Sequence, residues 1–366
     1  MKILLVDYRN DYYSRSWEKT NRNGTANYYL EYQPLKRLAE ANGHSVEFFW
    51  IDEAILEHGR DPARKMLIDH ILREKPEVCI FHGAEYDIGI ETLRALKEKS
   101  NSKLVYMCVD DSWSWDRISR HFAPFFSWIV TYCGDAPARY REIGCQNVIH
   151  SQPGVDLSTY KKTNTAKDIN VSFVGTWSKL RGETISYLRD KNISVLTRGN
   201  GWPEGAVTQE EMIDIINRSK ISLSLNPPAF YFGWRPIIRL FIRRAFLGEG
   251  GLPYKLDIHN FRDNFASWMQ KKILQVKARN FEIPACGTAE ITQDADDLRD
   301  YYKPGEEIIF YRDNKDLAEK INYYLEHNEE REKIAQRGYE RTIKDHYAEK
   351  RFKEIFSSIG APLEKK

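Results

Sequence analysis

Cysteine is scarce in this sequence and follows no pattern of known use. Five cysteines occur among 366 residues, the number is odd, and no pair has the Cys-x-x-Cys spacing. These features argue against a disulfide-stapled scaffold and against a thiol-based zinc or redox site. Because Cys79 and Cys108 lie in apolar runs typical of strands, we expect buried free thiols in a reducing compartment.

Long apolar runs and an excess of charge are missing as well. No stretch approaches the roughly 18 apolar residues of a membrane-spanning helix. The apolar run at Lys2–Val6 is too short for a signal peptide and is followed by Asp7, so we interpret it as a buried strand. The net charge of +2, from 55 basic and 53 acidic residues, argues against nucleic acid as a partner without excluding it. We therefore expect a cytoplasmic protein.

Several motifs of well-known enzymes are absent. The sequence contains no P-loop, no zinc-ligand spacing and no nucleophile elbow. The Gly-x-Gly-x-x-Gly turn of dinucleotide enzymes does not follow the first strand, where Asp7-Tyr8-Arg9-Asn10 stands instead. This absence argues against a dehydrogenase.

What the sequence does have is a regular alternation of short apolar runs with helical periodicity. The alternation fills the first half and starts again at Asn170, and glycines such as Gly43, Gly144 and Gly287 follow the predicted helices. Alternating strands and helices indicate parallel crossover units. We therefore predict an α/β fold of two Rossmann-like domains, with the default binding site in a cleft between them.

The predicted domains differ in role. Residues 1–155 form an N-terminal acceptor-side domain, and the polar, aperiodic stretch 156–168 is the linker. Residues 169–345 form a donor domain with an insertion at about 227–275, and residues 346–366 are predicted to cross back to the first domain.

Part of the insertion has the pattern of a basic amphipathic helix. Over Pro236–Leu247, helical spacing places Ile237 and Phe241 on one side and puts Arg239 and Arg243 one turn apart. Such a helix can lie on an anionic membrane surface, which predicts a peripheral membrane contact through about 236–247. The alternative, which we favour, is a local helix whose arginine stems cover apolar surface of its own domain.

The segment from Lys277 to Gly287 carries the clearest local signal of a ligand site. Lys277, Arg279 and Glu282 stand near the start of a predicted helix, where free N–H groups and two cations suit a diphosphate. Glu282 can accept hydrogen bonds from two ribose hydroxyls. The alternative is that Glu282 only complements the helix dipole.

This segment resembles the nucleotide-binding helix of GT-B glycosyltransferases, and more closely that of the CgeB-like, spore-maturation type. The shared pattern is Arg-x-Phe-Glu-x-Pro-Ala-Cys-Gly, ending at Gly287. The resemblance covers about 76–226 and 277–356 and includes further short motifs: Val109-Asp110-Asp111-Ser112-Trp113, Phe173-Val174-Gly175, Pro304-Gly305-Glu306-Glu307 and Ile334-Ala335-x-x-Gly338.

The resemblance implies roles for individual residues. Glu282 would hold the ribose, Arg279 and Arg181 would lie near the diphosphate, and Gly175 would form the tight turn at the donor phosphates. Lys277 and Asn226 complete the set of donor-contacting candidates. The resemblance also implies a nucleotide-diphosphate sugar as donor substrate and no cofactor or essential metal.

Retaining glycosyltransferases of the GT-B type carry a pair of glutamates, and this sequence matches the spacing of that pair but not its alignment. Glu282 and Glu290 have seven residues between them, as the two acids of that pair do. In the resemblance, however, Glu282 aligns with the second acid of the pair, and Leu274 stands at the position of the first. We therefore interpret the spacing to Glu290 as accidental, and the retaining mechanism is in doubt.

Three residues at predicted strand ends are the candidates for catalysis. His82 follows one strand, and Asp110 and Asp111 follow another, so their side chains are expected at the rim of the cleft. Asp110 or Asp111 could contact the sugar or acceptor, or act as a general base. The alternatives are a hydrogen-bonded loop histidine and acids that cap the next helix.

Taken together, these patterns predict a metal-independent GT-B glycosyltransferase that acts on a glycan, a lipid-linked or another acceptor. Three alternatives stay open. The chain could be a nucleotide-sugar epimerase on the same fold, a non-catalytic protein that binds a nucleotide sugar or glycan, or a transferase acting on modified DNA.

Overall fold

The computed structural model describes residues 1–9, 32–83, 85–152, 154–228, 230, 232–244, 254–295 and 297–364. The chain divides into two compact units. Unit 1 consists of Met1–Gln152, Ala229–Lys272 and Phe352–Lys366, and unit 2 of Pro153–Pro228 and Ile273–Arg351. The segment 229–272, predicted as an insertion of the donor domain, therefore belongs to unit 1.

Unit 1 begins with an alternation of strands and helices. Its strands are β1 (Lys2–Asp7), β2 (Ser45–Trp50), β3 (Val78–His82), β4 (Lys103–Cys108), β5 (Trp128–Thr131) and β6 (Val148–His150). Its helices are α1 (Gln33–Ala41), α2 (Ile51–His58), α3 (Arg60–Glu74), α4 (Glu85–Ile88), α5 (Ile90–Lys99), α6 (Asp111–Ser114), α7 (Arg120–Phe122) and α8 (Ala136–Glu142). A π-helical turn, Trp115–Ser119, joins α6 to α7.

Unit 2 also alternates strands and helices, and its elements lie before and after the segment 229–272 that belongs to unit 1. Before that segment come β7 (Ile169–Val174), α9 (Lys179–Asp190), β8 (Leu196–Arg198), α10 (Gln209–Arg218) and β9 (Ser219–Ser224). The segment itself contains α11 (Trp234–Ile238), β10 (Ile242–Arg244), β11 (Tyr254–Leu256) and α12 (Phe261–Gln270). After it come α13 (Arg279–Ala285), β12 (Ala289–Gln293), α14 (Leu298–Tyr301), β13 (Ile309–Tyr311), α15 (Asn314–Glu326) and α16 (Asn328–Asp345). The last helix, α17 (Ala348–Ser358), begins in unit 2 and continues into the stretch Phe352–Lys366 of unit 1.

Each unit is built on one parallel sheet. In the described part of the chain, six strands of unit 1 lie in the order β2-β1-β3-β4-β5-β6 and five strands of unit 2 in the order β13-β12-β9-β7-β8. The two central strands of unit 1, β3 and β4, are buried almost throughout because helices cover both faces of a sheet of this kind. The predicted α/β fold with two Rossmann-like units is confirmed.

The helix predicted over 236–247 is wrong. The structure ends α11 at Ile238 and pairs Ile242–Arg244 with Tyr254–Leu256 as an antiparallel hairpin. The remainder of the predicted helix, 245–247, lies outside the described residues. None of the helices in the described ranges combines the length and the apolarity that a membrane crossing requires. All five cysteines are free thiols, and four of them are buried.

Gly338 in α16, which belongs to the motif Ile334-Ala335-x-x-Gly338, lies close to the backbone of another segment. A Cβ on Gly338 would lie 2.5 Å from the backbone oxygen of Glu307. Since backbone cannot move aside as a side chain can, we expect Gly338→Ala to destabilise unit 2 by about 1–3 kcal/mol, although alanine favours a helix. Urea unfolding of both proteins measures the difference.

Gly182 provides the matched control, because it also lies within a helix of unit 2. The three atoms nearest to its Cβ would all belong to the indole of Trp177, the closest at 2.8 Å, and that side chain is 48% exposed. Gly182→Ala should therefore leave stability unchanged or raise it slightly. Equal effects of the two substitutions would contradict the backbone contact at Gly338.

Candidate donor site and acceptor-side residues

The start of α13 is fixed to the sheet of unit 2 by one buried amide. Asn280 is completely buried, and its Oδ1 accepts from the backbone N–H of Lys277 at 2.9 Å. Its Nδ2 donates to Glu290 Oε1 at 2.6 Å and to Thr292 Oγ1 at 3.1 Å. Asn280 thus ties the approach to α13 to strand β12. Asn280 was not among the residues predicted from the sequence, where its one signal is a polar side chain in the first turn of a predicted helix.

Glu282 and Arg279 form an ion pair one turn apart on α13. Arg279 Nη1 lies 2.8 Å from Glu282 Oε2, and the two side chains keep 22% and 15% of their surface exposed. Arg279 also donates to Met212 Sδ on α10. Burial, and then the negative charge of Glu282, raise the pKa of the Tyr160 hydroxyl beside them. The pair is therefore held in place and still open to solvent, as a ribose- and phosphate-binding pair needs to be.

Gly175 and Arg181 lie where β7 turns into α9. The Gly175 N–H donates to the Arg198 carbonyl at 2.9 Å, and its own carbonyl accepts from Trp202 Nε1 at 2.8 Å. Arg181 stands in the first turn of α9 and donates to the carbonyls of Leu225 and Thr176, at 2.9 and 2.7 Å. The turn and the guanidinium are thus fixed at the carboxyl end of the sheet, where open α/β sheets bind their ligands.

The electrostatics around Arg181 favour an anion. Burial, and after it the positive charge of Arg279, lower the pKa of the Arg181 guanidinium. Two guanidinium groups close enough to influence each other are stabilised by an anion that both can contact. A diphosphate has the charge and the acceptor oxygens for this position.

Asn226 and Lys277 differ in their environment. Asn226 is buried, and its Nδ2 donates to Ser224 Oγ at 3.2 Å and to Asn280 Oδ1 at 3.3 Å. Lys277 is exposed, with its Nζ 2.5 Å from Gln275 Oε1. All six donor-site candidates (Gly175, Arg181, Asn226, Lys277, Arg279 and Glu282) therefore belong to one region of unit 2, at the ends of β7 and β9 and the start of α13. Their roles stay predictions.

Glu290 points into the core of unit 2. It is 1% exposed, Oε1 accepts from Asn280, and Oε2 has no hydrogen-bond partner among the described residues. Burial raises its pKa to about 8, so the carboxyl is neutral at pH 7. This position fits the interpretation that its spacing from Glu282 is accidental.

In unit 1, His82 is paired with an acid at the edge of the sheet. His82 ends β3 and lies 7% exposed with its Nδ1 3.1 Å from Asp7 Oδ2, at the end of the neighbouring strand β1. The ring of Tyr32 meets the imidazole edge-on. An imidazole whose Nδ1 is oriented by a carboxylate is the usual arrangement of a histidine that accepts or donates a proton at Nε2.

The adjacent acids Asp110 and Asp111 have opposite environments. Asp111 is completely buried and accepts from the hydroxyls of Thr131 (2.5 Å) and Tyr140 (2.8 Å) and from Cys108 Sγ (2.9 Å). Each of its oxygens is occupied by protein donors. Asp110 is partly exposed at the start of α6. Of the two, Asp110 is the one that a substrate can reach.

Lys271 of unit 1 is close enough to Asp110 for their charges to interact. Burial, followed by the charges of Arg239 and Arg117, lowers the pKa of Lys271, while Asp110 opposes the shift. Lys271 also lies over the ring of Trp113, at 5.3 Å. Within the described ranges, no three or more His, Cys, Asp or Glu side chains are grouped so that they could hold a metal ion.

Comparisons with known proteins first define the class of fold. The chain has the GT-B fold, shown by its likeness over almost its whole length to solved structures of that class. Residues 258–357, which include α13, match the model of a family described as glycosyl transferase-like. No curated protein sequence matches the chain.

Three of the similar structures illustrate the range of this fold. Sucrose-phosphate synthase from Thermosynechococcus elongatus is 10% identical with a TM-score of 0.65, and the alignment covers 99% of each chain. Anabaena HepE in complex with UDP and glucose is 12% identical with a TM-score of 0.61, covering 99% of this chain and 100% of the other. A DNA-modifying β-glucosyltransferase is 10% identical with a TM-score of 0.54, covering 98% and 100%.

Proposed function

We propose that this protein is a glycosyltransferase that binds a nucleotide-diphosphate sugar in unit 2. The observation that carries the proposal is the solvent-accessible ion pair of Glu282 and Arg279. The positive charge of Arg279 also lowers the pKa of Arg181, after burial, which supports a shared anion near both groups. The match of residues 258–357 to a glycosyl transferase-like family supports it independently, because the match includes that pair. HepE is similar in fold and was solved with UDP and glucose, so UDP-glucose is the first donor to test.

The chemistry follows from these groups. An acceptor hydroxyl attacks the anomeric carbon, the bond from that carbon to the diphosphate oxygen breaks, and the diphosphate leaves with the electron pair. Arg279 and Arg181 stabilise its growing charge electrostatically, which is the task that a metal ion performs in other transferases. Asp110 and His82 are the candidates for the base that takes the acceptor proton; Asp111, with both oxygens occupied, is left out.

The acceptor is a glycan, a lipid-linked sugar or another hydroxyl compound, and the proposed location is the cytoplasm, with contact to a membrane. The membrane contact proposed from the sequence ran through 236–247. Because the helix on which it depended is not formed, the surface that makes such a contact has to be argued anew from the structure.

We expect Glu282→Gln to weaken binding of the cognate nucleotide sugar about 30- to 100-fold. The substitution keeps the shape but removes a charged acceptor for two ribose hydroxyls, and hydrogen bonds to a charged group contribute about 1.5–3 kcal/mol. Calorimetric titration with UDP-, GDP-, ADP-, CMP- and dTDP-sugars measures the affinity. Glu183→Gln, an exposed glutamate of the same unit, is the control and should leave it unchanged.

The outcomes separate this proposal from its alternatives. No binding of any nucleotide sugar, or equal affinity of wild type and Glu282→Gln, would contradict it. Binding without turnover favours the non-catalytic alternative, and an isomerised donor formed without acceptor favours the epimerase. A steep salt dependence of DNA binding would favour the DNA-modifying alternative.

A further inference from the structure

The segment 229–272 exposes an unusual amount of apolar surface. In the described ranges, ten of the seventeen exposed large apolar side chains lie in this segment, which is a small part of the chain. Phe232 is 76% exposed, Trp234 67% and Leu256 77%. Single exposed apolar side chains are ordinary, but a group of them indicates a surface that contacts something else.

Helix α12 is turned the opposite way from an ordinary surface helix. Phe261, Phe265 and Trp268 follow one another at helical spacing, and Phe261 and Phe265 are 37% and 44% exposed. The buried side chains of the helix are Asn264 and Ser267. Asn264 Nδ2 donates to the Leu240 carbonyl and to Asp257 Oδ2, both at 3.1 Å. The side of α12 that carries Asn264 is therefore bonded to the protein, while Phe261 and Phe265 face outward.

Four exposed rings and the partly buried ring of Trp268 form one continuous row. Phe232 contacts Trp268 with ring centroids 5.4 Å apart, and Trp268 contacts Phe265 at 5.9 Å. The row continues from Phe265 to Phe261 at 6.3 Å and from Phe261 to Phe241 at 5.1 Å. A continuous row can enter an apolar medium as a unit, which scattered side chains cannot do.

The charges beside this row are of one sign. Arg235, Arg239, Arg262 and Lys272 are exposed, and the Arg235 guanidinium lies 5.2 Å from the Trp234 ring. The two acids in the described part of the segment do not present a free negative charge beside the row. Asp257 is buried, and Asp263 forms an ion pair with Arg120 at 3.0 Å. The whole segment has eight Lys or Arg against three Asp or Glu, although the chain as a whole is nearly neutral.

We propose that this aromatic–cationic surface, formed by Phe232, Trp234, Phe261 and Phe265 with Arg235 and Arg239, docks on an anionic lipid bilayer. The rings enter the headgroup boundary, where aromatic side chains are favoured, while the guanidinium groups meet anionic headgroups. Charge complementarity favours the bilayer, because the described part of the segment exposes these cations while its acids Asp257 and Asp263 are buried or paired. This inference does not rest on the proposed transferase activity.

Co-sedimentation with phosphatidylcholine vesicles, with and without phosphatidylserine, tests the proposal on the full chain. We expect binding to the phosphatidylserine vesicles to be at least about tenfold stronger, and to fall as salt is raised. Arg235→Gln with Arg239→Gln should weaken it about 25-fold, since each cation near the surface contributes about fivefold. Phe232→Ser with Trp234→Ser should weaken it on both kinds of vesicle.

Substitutions elsewhere on unit 1 are the matched controls. Leu56 and Arg73 are 54% and 66% exposed, and Leu56→Ser and Arg73→Gln should leave vesicle binding unchanged. Thermal unfolding checks that every variant is folded. Equal binding to both kinds of vesicle, or no effect of the arginine substitutions, would overturn the proposal. A third result would also overturn it: the wild type binds no vesicles but self-associates, and Phe232→Ser with Trp234→Ser makes it monomeric. A second copy of the chain would then occupy this surface.

Discussion

Replacing Asp111 by alanine should destabilise unit 1 by about 3–5 kcal/mol. The substitution removes a completely buried carboxylate and leaves three donors, on Cys108, Thr131 and Tyr140, without their acceptor. Hydrogen bonds to a charged group contribute about 1.5–3 kcal/mol each, and part of that is recovered when neighbours rearrange. Burial, and then Cys108 and Asp111, raise the pKa of the Tyr140 hydroxyl, so it remains a donor over the whole accessible pH range.

Two further variants make the prediction specific. Asp111→Asn keeps one acceptor oxygen and should be destabilised by only about 1–2 kcal/mol. Asp110→Ala, one residue away and partly exposed, should change stability by less than about 0.5 kcal/mol and lower transferase activity if Asp110 is the base. Urea unfolding monitored at unit 1 measures the free energies. Similar stability losses at the two positions would show that Asp111 does not hold this part of the fold.

The contrast between Asp110 and Asp111 shows where sequence reasoning stops. The apolar run that ends at Cys108 was enough to predict that both acids lie at the carboxyl end of a strand. Which of them faces outward depends on the start of α6 at Asp111 and on the distant donors Thr131 and Tyr140. Neither is visible in the local pattern, because both are set by pairing between segments far apart in the chain.

The parallel sheets were predictable for a related reason. Buried parallel strands are short apolar runs between helices, and this pattern is local. The segment over 236–247 shows the opposite case, because its helical spacing is real in the sequence but Ile242–Arg244 pairs with Tyr254–Leu256 instead. Tertiary pairing overrides local propensity most easily in short segments with β-branched residues.

The sequence also did not show that residues 229–272 belong to unit 1. These residues interrupt unit 2 in the chain, so continuity assigns them to the donor domain. Their contacts go elsewhere, for example from Gln270 to Asp116 at 2.7 Å and from Asp263 to Arg120. The donor-site candidates stand at strand ends and in a family-like motif, which the sequence shows, whereas Asn280, which bonds to the Lys277 N–H before α13, belongs to no such pattern.

The Glu290→Gln variant should be more stable than the wild type, by an amount that grows with pH. The folded pKa of Glu290, about 8, is raised above its ordinary value of 4.5. Between these values the folded protein binds one proton more than the unfolded chain, so stability falls as pH rises. Glutamine keeps the acceptor for Asn280 and has no ionised form, so it lacks this dependence.

The pH dependence of that gain is the decisive measurement. The difference in unfolding free energy between Glu290→Gln and wild type should increase by about 2–4 kcal/mol from pH 5 to pH 8, following a slope of about 1.4 kcal/mol per pH unit. The exposed Glu183→Gln should show no such trend. A difference independent of pH would mean that Glu290 is ionised in the folded protein, and it would reopen a charged role for this acid beside Glu282. The predicted trend would instead establish Glu290 as a neutral part of the network through which Asn280 fixes the start of α13.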